Sequence, residues 1–448
     1  GVGFNVFKAA TQGDGNVSMG AYSSDALTTG GSNTVIGTSA GSALTTTSNT
    51  VLIGNTAGGA INSTDADGTV AIGYYAGLAI TSGQKNTAIG YEALYTQVDG
   101  DQNTAIGYQA LKMAEASSDG YGNNTAIGAL ALTSLTTGTG NVAVGTQCLD
   151  ASTDGDGNIA IGYDALSNVA VSEDFNIAIG YDAMKGVDEG TAGGDADHNI
   201  AIGFNTLYGG DFAGNDRQLQ GNIAIGSGAL DATGTNAQTG TIAIGRNALT
   251  ALTTGPGNIA IGYQALLTET TGTGNTVIGY TAGKLLAGAS YNTVIGREAM
   301  LVADGTESSN VAIGQSSMGG VNNNSSANNV AVGRNSLVGG TAAVTDCIAI
   351  GYFANDGTGA VGGTDNIFIG RDAGGGAWAT AVSTKNVAIG NYAMDAALNG
   401  ANSNVAIGHE ALSTATEADY NTAVGYRSFV SLTTGGSSVA VGYESGFN

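Results

Sequence analysis

The sequence predicts an all-β chain, a parallel β-solenoid in which one short motif opens every coil. Three observations predict it. The first is recurrence: Asn, a β-branched residue, Ala, Ile and Gly follow one another from end to end, as in Asn86-Thr87-Ala88-Ile89-Gly90 and Asn158-Ile159-Ala160-Ile161-Gly162. Indexed by its Gly, the motif has 25 copies in 448 residues. The second is spacing. Of the 24 intervals between successive motif glycines, 12 equal 17, the step from Gly73 to Gly90; none is shorter, and the rest run from 18 to 23. A fixed minimum with additions only means that one such step closes one coil. Extra residues must then leave as loops at one place, between the Ala-Leu pair of one copy and the Asn of the next. The third is composition. Gly is 76 of the 448 residues, yet there is one proline and no three-residue Gly period, which excludes collagen. Apolar residues make up 42%, too many for a disordered chain. The expectation is a single array over 1–448 of about 25 coils.

Each slot of the motif has a physical reading. The Asn slot holds Asn in 19 copies, among them Asn86 and Asn158. Stacked Asn side chains can hydrogen-bond from coil to coil, and Asn tolerates the left-handed backbone of a corner. The residue before Gly is Ile in 19 copies, so Ile89, Ile106, Ile161 and Ile261 form a ladder. Alternation along a strand places this Ile and the β-branched residue on one face, here expected to point inward. A charge at Ile261 should then disrupt the array, because it would be buried without a partner. The opposite, nearly smooth face would carry Ala and Gly and let another backbone approach closely. A thin coil encloses little volume, so burying that flat face against partner chains would add stability. After Gly comes Tyr in ten copies, including Tyr91 and Tyr163, and Arg in four. These rings are expected to pack on one another and brace the corner, with Arg stacking on neighbouring Tyr. The Ala-Leu pair that follows reads as a second short strand or corner. The chain starts inside a repeat, Val2-Gly3-Phe4-Asn5 matching Ile202-Gly203-Phe204-Asn205, and ends one turn into another. It is therefore expected to be a segment of a longer protein, or to stack on other subunits.

Charge narrows the partners. Lys plus Arg is 12 and Asp plus Glu is 36, a formal net charge of -24. Such a polyanion repels phosphate backbones and anionic lipid, which argues against nucleic-acid binding. No apolar run is long enough to insert in a membrane.

Chemistry-bearing residues are few. His409 stands in the slot usually held by Tyr, and His198 lies in an acidic loop. Cys148 and Cys347 lie many coils apart, too far for a disulfide within the chain. No nucleophilic set assembles, so no enzyme and no cofactor is expected. Acidic loops recur, and Asp154, Asp156, Asp195 and Asp197 are weak calcium candidates, since oxygen-rich loops bind that ion. Asp and Gly are also ordinary turn residues. The two longest inserts are adjacent, at 186–198 and 209–221. They carry Asp188, Glu189, Phe212, Asn215, Asp216 and Arg217, the candidates for a local receptor site.

The run Asn-[Thr/Ile/Val]-Ala-Ile-Gly-x-x-Ala resembles the head repeats of trimeric autotransporter adhesins of the YadA type. It is also similar to repeats of bacteriophage long tail fibres and large bacterial surface proteins. The resemblance implies a left-handed β-roll, a homotrimer, and an extracellular location on a bacterial cell or a virion. It departs from the family in its longer coil and in lacking the neck, stalk and anchor.

The expected function is a non-enzymatic structural and adhesive rod. Its partners would be copies of itself and a host-cell glycan or protein receptor, bound by avidity along the repeat. The alternative is an extracellular filament assembled by head-to-tail stacking of open solenoid ends. An ice-binding face would need a flat exposed Thr array, and the inward assignment of the Thr slots argues against it.

Overall fold

The fold is that of a parallel β-solenoid in a computed structural model, which describes residues 1–114, 122–168, 173–187, 196–209, 218–233, 237–303, 305–321, 326–359, 361–378 and 380–446. Contacts divide the chain into two compact units, Gly1–Asn222 and Ile223–Thr233 with Ala237–Asn448.

In the first unit eleven three-residue strands, from Val17–Met19 to Ile200–Ile202, make a parallel stack among the described residues. In the second unit thirteen do so, from Ile223–Ile225 to Val439–Val441. Register follows the motif. Ile159, Ala160 and Ile161 pair with Ile177, Ala178 and Ile179, which pair with Ile200, Ala201 and Ile202. The last step holds register across a long insert, so added residues leave the strand untouched. In the second unit a smaller parallel sheet forms just before the Asn slot, from Val344–Thr345, Gly363–Thr364 and Ser383–Thr384.

The inward assignment of the Ile ladder is wrong, and the strand faces the other way. Ala88, Ala105, Ala160 and Ala260 in mid-strand are fully buried. The flanking residues Ile89, Ile106 and Ile261 are only partly buried, and Ile161 is 37% exposed. The β-branched slot lies on the same outer side, so the Thr slots point outward too. Width is the reason. The interior of this coil also holds the Ala and Leu that follow the motif, such as Ala93 and Leu94 or Ala165 and Leu166, all fully buried. Opposite a Leu column there is room for Ala and not for Ile.

Volume exchange between the two columns shows this directly. Where the Leu position is Gly41, Gly58, Gly283 or Gly374, the mid-strand residue of that coil is Val35, Leu52, Val277 or Phe368. A Cβ on Gly58 would stand 2.7 Å from the Leu52 side chain, and one on Gly374 2.7 Å from the Phe368 ring. At Gly77 the mid-strand residue stays Ala71, and Ile80 takes up the space instead. Trp378 packs edge-on against Phe368 with centroids 6.2 Å apart.

The motif Gly is a corner, and what approaches it closely is the next coil of the same chain. Gly262 has φ +140, a region open essentially to glycine alone. A Cβ there would lie 2.2 Å from the carbonyl oxygen of Gly279, one coil on. The following Ala-Leu segment is a turn and not a second strand. Its second and fourth residues after Gly are left-handed, as in Glu92 (φ 52) and Leu94 (φ 51). That conformation aims alternate N–H groups at the two neighbouring coils: Glu92 donates to the carbonyl of Tyr74 at 2.9 Å and Leu94 to that of Ala110 at 3.0 Å. These axial hydrogen bonds offset the strain of the left-handed residues.

Asn forms the expected ladder inside the coil. Asn158 is fully buried. Its Oδ1 accepts the backbone N–H of Asn176 at 2.9 Å, and its Nδ2 donates to the carbonyl of Glu173 at 2.7 Å. Asn86 does the same with Asn103 and Gly100, both at 2.8 Å. The left-handed corner falls one residue earlier than expected, at Lys85 (φ 55) or Phe175 (φ 56), because the Asn backbone itself enters the strand.

Candidate functional site

Three surface features follow from this coil. The first is the outer strand face. Its two columns are the β-branched slot and the Ile slot, repeated at each strand spacing, about 4.8 Å. Ile127, Ile161, Ile278, Ile350, Ile389 and Ile407 are each 36–39% exposed along it. Charged residues are absent from both columns in every described strand of the two stacks. Monomeric proteins rarely expose a contiguous apolar face of this kind.

The second is the aromatic column beside it. Tyr91 stacks between Tyr74 and Tyr108, with centroids at 5.2 and 5.5 Å and interplanar angles of 13° and 15°. Tyr163 stacks on Tyr181 at 5.3 Å. Arg371 lies over the rings of Tyr352 and Tyr392 at 5.8 and 5.4 Å. His409 stands in the column, stacked on Tyr426 at 5.5 Å. Within a run the inner rings, such as Tyr91, have both faces covered, and the end rings, such as Tyr108, are more exposed.

The third is a groove between the second and fifth residues after the motif Gly. Ion pairs cross it from one coil to the next. Lys112 Nζ lies 2.7 Å from Glu92 and Lys185 Nζ 2.6 Å from Asp164, and within its own coil Lys185 Nζ also lies 3.2 Å from Asp182. The two carboxylates hold the Lys185 ammonium well above the usual lysine range.

The loop acids serve the backbone. Asp156 Oδ1 accepts the N–H of Thr139 at 2.6 Å, and the Asp156 N–H donates to Asp174. Asp197 Oδ1 accepts the N–H of Asp174 at 2.7 Å. Asp154 accepts from the Thr153 hydroxyl at 3.3 Å. Among the described residues no group of three or more His, Cys, Asp or Glu could hold a metal ion. Asp195, Asp188, Glu189, Phe212, Asn215, Asp216 and Arg217 lie outside the described residues. His198 packs against Phe175 with centroids 5.3 Å apart. Cys148 and Cys347 are buried and free, and burial pushes their thiols up to about 12 and 11. They stay protonated and are poor nucleophiles.

Three fully buried acids, Glu173, Glu269 and Glu307, escaped the sequence reading. Glu269 is fully buried at the level of Leu252 and Leu286 in the neighbouring coils. Its Oε1 accepts the N–H groups of Thr270, Thr271, Gly272 and Gly288 at 2.6–3.1 Å, and Oε2 accepts that of Ala289 at 3.1 Å. Five backbone donors make a ready-made cage for its carboxylate. A lone Glu in a Leu position was the available signal.

Other carboxyls are less well served. Burial pushes Asp150, Asp356 and Asp395 up to about 6, and the charge of Asp372 adds to the effect at the last two. Unfolded, each would titrate near the ordinary aspartate value, about 4. Between about pH 4 and 6 the folded chain therefore holds protons that the unfolded chain releases, and stability falls as pH rises through that window. The thermal midpoint should be higher at pH 4.5 than at pH 7 at fixed ionic strength. A midpoint that climbs from pH 4.5 to 7 would contradict these assignments.

No protein-family model matches this chain, and no curated protein matches it. No helix among the described residues is long and apolar enough to cross a membrane.

Proposed function

We propose that this chain is a non-enzymatic structural and adhesive element of an extracellular fibre or adhesin head, on a bacterial surface or a virion. In this reading copies of the chain associate side by side through the outer Ile face, as a homotrimer. The long loops at 186–198 and 209–221 and the repetitive surface then meet a host-cell glycan or protein receptor. One observation carries the reading: two columns of Ile, Val and Thr, with Met19 at one place, run without a charge along the outside of each unit, in a chain of net charge -24. An apolar face of that regularity is suited to burial against its own copy. The expectation that the Ala face meets the partner gives way to the Ile face, because Ala is inside the coil.

The test is native mass by light scattering. The wild type should give three times 43.8 kDa. The double variant Ile161→Asp, Ile261→Asp should keep its circular dichroism and become monomeric, since both side chains are on the outside. A wild type that is monomeric at micromolar concentration would overturn the proposal. Polymers that persist in the double variant would favour head-to-tail stacking of solenoid ends.

A further inference from the structure

In two places the chain's own lysine bridges the groove. Glu92 sits two residues after its Gly, and Lys112, five after the next, reaches it at 2.7 Å. Asp164 and Lys185 repeat the arrangement one coil apart at 2.6 Å. Each lysine carries an ammonium head to a carboxylate of the preceding coil on a flexible four-carbon stem.

The same geometry recurs at Glu298, but the lysine is missing. The position five residues after the next motif Gly is Gly319. Around it opens a cleft of about 340 Å³, within the second unit, lined by Glu298, Leu301, Gly319, Val338, Phe353 and Asp356 among others. Arg297 meets Glu298 at Oε1, at 2.9 Å from Nη2, and that arginine side chain is itself 63% exposed. At the other end Asp356 lines the cleft, with its Oδ1 buried toward Gly375 and the Asp395 carboxylate of the coils beyond. A volume of this size, with apolar walls and a few polar groups, suits a small ligand. The two carboxylates stand three coil steps apart, on the order of 14 Å at the strand spacing.

We propose that this cleft binds a linear aliphatic polyamine, one ammonium on Glu298 where a lysine stands elsewhere, its alkyl chain along Leu301, Val338 and Phe353, and a second ammonium on Asp356. The molecule supplies the precedent twice with its own side chains. A bare metal ion lacks the three-ligand cluster it would need, and a neutral alkyl chain would supply no cation at the Gly319 position, where Lys112 and Lys185 supply one in their coils.

Calorimetric titration with spermidine at 0.15 M salt tests it. The wild type should show one saturable site per chain. Glu298→Gln should weaken it at least tenfold, and Gly319→Lys, which restores the internal cation, should do the same. Asp356→Asn is the third variant and keeps the test open if the Gly319→Lys chain fails to fold. Affinity unchanged in Glu298→Gln and Asp356→Asn would overturn the proposal. So would many weak equivalent sites per chain, or displacement of spermidine by an equal concentration of magnesium, since both mark attraction by net charge alone.

Discussion

Replacing Gly262 with alanine should unfold the coils around it, at a cost of at least about 3 kcal/mol. Two penalties coincide. The backbone at φ +140 is one that L side chains rarely adopt, costing on the order of 1–3 kcal/mol. The new Cβ would also stand 2.2 Å from the Gly279 carbonyl oxygen, and that oxygen belongs to the backbone of the next coil and cannot swing aside. Relief would require the two coils to separate, and the strand pairing of Ile259–Ile261 with Thr276–Ile278 depends on their closeness. Hydrogen exchange would read the effect as lost protection in these two strands. Full protection in Gly262→Ala would show that the corner has room that the geometry denies. Alanine at Gly442, a motif glycine of φ +126 where a Cβ meets nothing within 4 Å, is the matched control for the strained backbone without the close approach.

Phe368→Ala is the second large effect, expected at about 3–5 kcal/mol, the range for removing a buried aromatic ring. The ring is fully buried and fills the space that Gly374 leaves open. Trp378 would lose its edge-to-face partner and become more exposed to quencher, so its fluorescence reports the site separately from global unfolding. Phe368→Ala combined with Gly374→Leu would restore the Ala-Leu pairing of the other coils. It should regain part of the loss, held back by the left-handed backbone at position 374 (φ +63), a conformation that Leu94 already adopts in its own coil. A double variant no more stable than the single one would refute the exchange of volume between columns.

Much of this fold could be read from recurrence. The recurring motif placed the strands of the two main stacks, and the Asn slot announced its ladder. The direction of the strand could not be read that way. Thr87-Ala88-Ile89 alternates equally well with either face inward, and bulk favoured the wrong one. What decides is the width of the cavity opposite, set by Leu94 and its left-handed turn, a steric matter between residues that periodicity treats as separate slots. A signal was present, since Gly374 pairs with Phe368 and Gly58 with Leu52. The groove was hidden for a related reason. Glu92 and Lys112 are distant in sequence, and only a coil puts them face to face. The loop acids were legible as turn residues, but their service to the backbone of the preceding coil, as at Asp156 and Thr139, needed the register.

Within each unit every ladder partner of a residue lies one coil away, whether the step is short, as from Asn86 to Asn103, or lengthened by an insert, as from Asn176 to Asn199. Lengthening such a chain adds contacts without lengthening the loops that must close to make them. Relative contact order therefore falls as coils are added, and the entropic barrier to each closure stays constant. Folding can start at any pair of adjacent coils and spread outward one coil at a time. A nascent chain would need only about two coils clear of the ribosome to begin, with the most recent strand edge serving as the template for the next.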